Sequence, residues 1–175
     1  MAALPDKLNL GCGRRKMEGH LNVDLAASVE PDCVHDLDCY PYPWPDSSFN
    51  EVVAKDVIEH IDDVVAFMKE IHRVARPGAV IRLTTPHFSC ANAYVDPTHK
   101  HRLSYYSLDY FTPGHPWNFY GSSGFQIRTR SLIFTPSLLN RIVSRLANRH
   151  PHSYEQRWAW SFPAWFLYFE LTVIK

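Results

Sequence analysis

The chain of 175 residues reads as one α/β domain, a doubly wound and mostly parallel sheet with an antiparallel last strand. Three observations predict this. Short apolar runs alternate with segments of helical periodicity, the first run ends in the glycines Gly11 and Gly13, and the second ends in an acid, Asp24. Strands interleaved with helices bury their apolar surfaces best as a mostly parallel sheet covered on both faces.

Lys7-Leu-Asn-Leu10 is a short buried strand running into the glycine pair. Leu21–Leu25 and Asp32–Leu37 follow as the second and third strands. Pro41, Pro43 and Pro45 then force a loop, since each lacks the N–H that a central strand donates. Phe49–Ala54 is the fourth strand. Asp62 is placed to cap a helix running to about Ala75, with Val64, Val65, Met68, Ile71 and Ala75 on one face. Arg76-Pro-Gly78 ends that helix, and Ala79–Thr85 is the fifth strand. Residues 87–122 break the rhythm. They hold His87, His99, His101, His115 and five tyrosines with little periodicity, the pattern of an insertion or lid over a site. Phe125–Phe134 alternates as a half-exposed strand, and Thr135-Pro136 opens a helix. Leu138, Leu139, Ile142, Val143 and Leu146 give that helix its expected buried stripe, with Arg141, Arg145 and Arg149 on the outer face. Trp165–Ile174 closes the chain as the last strand.

Composition limits the function classes. At 46% hydrophobic and 21% charged residues the chain carries a sizeable core and is not a disordered segment. Eighteen basic side chains balance eighteen acidic ones, which argues against generic nucleic-acid binding. The balance hides a division. Residues 1–122 carry 11 basic and 16 acidic side chains, and residues 123–175 carry 7 and 2, so the halves stand at −5 and +5. Cys12, Cys33, Cys39 and Cys90 have neither C-x-x-C pairing nor regular spacing, which fits a reducing, cytoplasmic setting. No signal peptide or membrane span is expected.

A buried strand ending in Gly11-Cys-Gly13 suits a nucleotide-like ligand at the carboxyl edge of the sheet, because glycine lets the backbone approach closely. Asp24 then stands where a carboxylate accepts from ribose hydroxyls. In this arrangement the chain resembles the class I (Rossmann-like) S-adenosylmethionine-dependent methyltransferase family over nearly its whole length. Leu8-Asn-Leu-Gly-Cys-Gly13 looks like the glycine-rich first motif, with Asn9 where an acid is more usual. Asn22-Val-Asp24 is similar to the ribose-binding acid, and His35-Asp-Leu-Asp38 to the strand end beside the adenine. Pro43–Val52, Val57-Ile-Glu-His-Ile61, His72–Gly78 and Phe169–Lys175 are similar to later segments of the family. The resemblance implies S-adenosylmethionine as cofactor, contacted by Gly11, Gly13, Asp24, Asp36, Leu37, Lys55 and Asp56. In two respects the chain departs from the family. Only seven residues, Arg14–His20, join the glycine loop to the second strand, too few for the usual first helix. The chain is also short, so cover for the cofactor must come from residues 87–122 or from a partner subunit, a second copy of the chain.

Methyl transfer from a sulfonium is an in-line displacement in which alignment supplies most of the help. A base is required only for a protonated oxygen or nitrogen acceptor, and His87, His99 and His101 are the candidates. His87, Asp96, His99 and His101 have metal-ligand chemistry as well. His99 and His101 stand at i, i+2 and face apart on a strand, so no metal is assigned. Tyr105, Tyr106, Tyr110, Phe111, Trp117, Phe119 and Tyr120 are expected either to wall an acceptor pocket or to pack as core. The expected function is methyl transfer to a small molecule, with no nucleic-acid or membrane partner. A non-catalytic cofactor-binding subunit and a metal-assisted enzyme on the same fold are the rival readings.

Overall fold

A computed structural model describes residues 4–118 and 124–175. Seven strands form one sheet: β1 (Lys7–Leu10), β2 (Leu21–Asp24), β3 (Cys33–Val34), β4 (Phe49–Lys55), β5 (Ala75–Pro86), β6 (Phe125–Ile133) and β7 (Phe166–Val173). Their order is β3-β2-β1-β4-β5-β7-β6. The pairs among β1 to β5 are parallel, and β7 runs antiparallel to both β5 and β6. The helices are α1 (Val64–Val74), α2 (Asn92–Val95), α3 (Leu138–Arg149) and α4 (Pro151–Arg157). Among the described residues no helix is long and apolar enough to cross a membrane.

The connection from β1 to β2 contains no helix. Side-chain amides do the holding instead. Asn9 donates through Nδ2 to Arg15 O and to Asn22 Oδ1, and Asn22 Oδ1 also accepts from Met17 N. Asn22 Nδ2 donates to Met17 O, His20 O and Asp32 Oδ2, while Asp32 Oδ2 accepts again from Asn22 N. These bonds hold the Asp32 carboxyl below its usual range. Asn9 and Asn22 are both buried, so the network satisfies in place the polar groups that an unsupported loop would strand. The amide at position 9 donates to two oxygen acceptors, Arg15 O and Asn22 Oδ1, which a carboxylate could not do.

Several boundaries move for local reasons. β2 stops at Asp24 because its Oδ1 accepts from Ala26 N and turns the chain. β3 is two residues long rather than six, since Asp36 turns the chain back through Asp38 N and Cys39 N. The cap of α1 is Asp63, whose Oδ1 accepts from Val65 N and Ala66 N; Asp62 pairs with Lys100 instead. α1 buries Phe67, Met68, Ile71 and Val74, and Ala75 already belongs to β5, paired with Phe49. Glu51, Arg82 and Glu170, on neighbouring strands, form a ladder with Arg82 Nη1 2.6 Å from Glu51 and Nε 3.1 Å from Glu170. That ladder stays half-exposed.

The largest correction concerns α3. Leu138 is 81% exposed and Ile142 63%, Leu139 and Leu146 are likewise exposed, and only Ala147 of the helix is buried. The helix covers the edge of β6 rather than a sheet face. Asn148 Oδ1 accepts from Leu132 N and its Nδ2 donates to Leu132 O, which pairs backbone groups that an edge strand leaves open. Arg141, Arg145 and Arg149 are exposed as expected.

Residues 87–118 pack more tightly than an overlying lid would. Leu103, Tyr105, Leu108 and Phe111 join the core, and Arg130 of β6 lies over the Tyr105 and Tyr106 rings while pairing with Asp109. Phe119 and Tyr120, named above as pocket walls, lie outside the described residues.

Two outcomes test this account by chemical denaturation. Asn22→Ala should destabilise the fold by about 1–3 kcal/mol, because it strands buried donors and acceptors. The double variant Leu139→Ser, Ile142→Ser should change stability by no more than about 0.5 kcal/mol, as surface substitutions do. A loss of several kcal/mol in the second would place that stripe in a core.

Candidate functional site

The glycine loop fixes the site. Gly11 takes φ +60°, and a Cβ there would overlap the Val57 side chain, so the position needs glycine on both counts. Gly13 is also left-handed, at φ +48°, but the space around it is open, with no atom within 4 Å of where a Cβ would stand. Its N–H donates to Asp24 Oδ2 at 2.7 Å. With Oδ1 taken by Ala26 N, each oxygen of Asp24 spends one lone pair on the backbone and keeps another.

A cleft of about 540 Å³ opens here at the carboxyl ends of β1, β2 and β4. Gly11, Asp24, Asp36, Leu37 and Asp56 of the expected contacts line it, together with Val57, His60 and Ile61. Lys55 is exposed and does not line it, nor does Gly13, which reaches the cleft only through its bond to Asp24. Asp56 stands at φ +57°, accepts from Thr84 Oγ1 through Oδ1, and pairs through Oδ2 with Arg15 Nη2 at 3.0 Å. Lys100 adds a cation at the rim, 2.6 Å from Asp62 and 3.5 Å from Asp38. Its position was not legible in the sequence, because it depends on a loop crossing back over β4.

A second cleft, of about 350 Å³, shares Asp56 and His60 with the first. Glu59, Pro86, Asn92, Asp96, His99 and Phe166 complete much of its wall. The three candidate bases separate here. His99 lines this cleft with its Nδ1 buried and without a hydrogen bond, and its ring meets that of His60 edge-on at 4.7 Å. His101 is tied down, with Nε2 2.8 Å from Ile61 O. His87 is fully buried, and both ring nitrogens are engaged. Nδ1 accepts from Ser89 N, which leaves Nε2–H to donate to Glu155 Oε1 at 3.1 Å. The same Glu155 oxygen accepts from Tyr105 N, so His87 ties the end of β5 to α4 and to the 87–118 segment. It does not reach the cleft.

Glu59 was missed by sequence reasoning. It is 1% exposed, and the buried Thr85 hydroxyl and its own backbone N–H lie near its carboxyl without making a well-formed bond to either oxygen. Burial pushes its carboxyl up to about 7. Burial also holds His60 below the usual imidazole range, and the adjacent His99 adds to this. The one signal available was adjacency, an acid directly before a histidine in Val57-Ile-Glu-His-Ile61.

Comparison with known proteins bears on this geometry. A family model described as a methyltransferase domain matches residues 18–83. A probable S-adenosylmethionine-dependent methyltransferase of Mycolicibacterium smegmatis is 35% identical over 102 residues, which cover 46% of this chain and 38% of that one. The match thus spans well under half the length of that relative. Among solved structures, an S-adenosylmethionine-dependent methyltransferase of Archaeoglobus fulgidus aligns over 97% of this chain and 86% of its own, with a TM-score of 0.69 at 17% identity. One from Mesorhizobium loti aligns over 95% and 89%, with a TM-score of 0.59, also at 17% identity. At such identities the structures speak for the fold, and the two sequence matches, each covering less than half of this chain, show that its N-terminal half is similar to methyltransferase domains.

Proposed function

We propose that the chain binds S-adenosylmethionine in the cleft at the ends of β1, β2 and β4 and transfers its methyl group to a small molecule seated in the adjoining cleft. The observation that carries this reading is the pairing, on one cleft, of Gly11, which has no side chain of its own to stand between backbone and ligand, with Asp24, whose two oxygens each keep a free lone pair. The donor set fits the cofactor. Asp24 can accept from both ribose hydroxyls, and Leu37, Val57 and Ile61 offer apolar surface to an adenine with Asp36 at its edge. The Arg15–Asp56 pair offers both charges that a zwitterionic amino-acid end requires.

When bound, the cofactor supplies an activated methyl group and a neutral thioether as leaving group. The work left to the chain is alignment and exclusion of water. The shared walls Asp56 and His60 put the two clefts in contact, so an acceptor held against Pro86 and Phe166 lies beside the cofactor rather than across the sheet from it. Of the three candidate histidines, His99 is the one that lines the acceptor side.

Calorimetry with S-adenosylhomocysteine tests the reading without knowledge of the acceptor. Asp24→Ala should weaken binding by about 1.5–3 kcal/mol, the value of hydrogen bonds to a charged group. Because Asp24 also braces the glycine loop, the melting temperature of the free variant should be recorded beside its affinity. Unchanged affinity would remove the ribose from this position. His87→Ala should lower stability by about 1–3 kcal/mol, for lost bonds to Ser89 and Glu155, with S-adenosylhomocysteine affinity intact. A stable variant with turnover reduced about 10²–10⁴-fold would instead make His87 the base.

A further inference from the structure

Three potential ligands converge at the wall between the two clefts. One carboxylate oxygen of Glu59 and one ring nitrogen each of His60 and His99 lie within 4.8 Å of one another. Two of the three are short of partners as they stand. Glu59 is almost wholly buried, with only the Thr85 hydroxyl and its own backbone N–H near its two oxygens and neither making a well-formed bond, and the buried Nδ1 of His99 has no partner. A buried carboxylate so poorly supplied with donors is costly, and such groups in folded proteins are normally paired or coordinate a metal.

The third ligand is preset by its neighbours. Thr98 Oγ1 lies 2.9 Å from His60 Nδ1 and donates its single proton to Asp96 Oδ1 at 2.7 Å. Its bond with His60 must therefore be one in which the hydroxyl accepts from Nδ1–H. That tautomer leaves the lone pair on His60 Nε2. An imidazole oriented through its other ring nitrogen is how metal-bound histidine is usually held. Asp96 accepts twice from Thr98, through its N–H as well as its hydroxyl, so the relay is itself anchored.

We propose that Glu59, His60 Nε2 and His99 Nδ1 hold a divalent first-row metal ion, with its open positions facing the acceptor cleft. Two histidines and one carboxylate suit manganese, iron, cobalt or zinc better than the all-oxygen environment that magnesium and calcium prefer. Bond lengths of about 2.0–2.2 Å require the three side chains to draw together by small rotations. The ion would satisfy the buried carboxylate and lower the pKa of a bound acceptor hydroxyl. The inference rests on the methyl-transfer reading and narrows its substrate class to acceptors that bind a metal through the oxygen to be methylated. The hydroxyl proton leaves to solvent, the oxygen lone pair forms the new O–CH₃ bond, and the S–CH₃ bond breaks with its electron pair remaining on sulfur.

The test uses the full chain stripped with a chelator. Mn²⁺ titrated calorimetrically should bind at one equivalent and raise the melting temperature, and Co²⁺ should give ligand-field absorption. Glu59→Gln keeps the shape of the side chain and removes its charge, so it should fold while losing Mn²⁺ binding. His99→Ala should lose it too, and Thr98→Val should weaken it about 10–100-fold, as loss of an orienting partner does. S-adenosylhomocysteine affinity is measured in the same samples. No Mn²⁺ binding by wild type that still binds S-adenosylhomocysteine would overturn the metal site and leave the methyl-transfer reading standing. Failure to bind S-adenosylhomocysteine would strike that reading itself. Mn²⁺ binding that survives in both Glu59→Gln and His99→Ala would place the ion elsewhere and overturn the assignment.

Discussion

The position of the cofactor cleft depends on a short crossover held by buried amides. In a doubly wound sheet, β1 and β2 are ordinarily joined by a helix that packs on the sheet and fixes the glycine loop at its N-terminus. Here ten residues without a helix make the journey, and Asn9 and Asn22 hold them by hydrogen bonds to Arg15, Met17 and His20. The network delivers Gly13 N to Asp24 and keeps β2 in parallel register with β1. Satisfied polar networks are rigid, and a half-satisfied one costs more than apolar packing would. The loop is thus positioned by a few directional bonds and not by a packed helix.

Elsewhere on the sheet, Glu51, Arg82 and Glu170 form a half-exposed ladder of opposite charges on neighbouring strands. The site gains its walls from the segment after β5. Residues 87–118 fold back along the carboxyl ends of the strands, tied by His87 to Glu155 and by Arg130 to Asp109. The segment that composition marked as a lid is built largely into the core, and its contribution to the site is narrow: Asn92, Asp96, His99 and Lys100 line the two clefts.

Much of the scaffold was legible because its signals are local. Gly11 must be glycine where a strand end meets Val57, the three prolines interrupt the chain where the loop lies, and Ala79–Thr85 alternates as the central strand it is. The α3 stripe misled because periodicity reports amphipathicity and not the identity of the partner; Asn148, a polar residue on the same helix, docks it on the edge of β6 instead. The histidines misled for a related reason. Position after a strand brings His87 near the site, but only the three-dimensional partners Ser89 and Glu155 reveal that its nitrogens are spent. Glu59, and the meeting of Glu59 and His60 with His99, escaped notice because that meeting spans about forty residues and a loop without periodicity.

The central claim is that the carboxyl-end cleft between Gly11, Asp24 and Asp36 is where S-adenosylmethionine sits. A crystal structure of the chain grown with S-adenosylhomocysteine tests it most directly. The account predicts density for the ribose on Asp24, the adenine against Leu37 and Ile61, and the sulfur directed toward His60 and the second cleft. Density confined to a place outside this cleft, or a ribose bound away from Asp24, would contradict it.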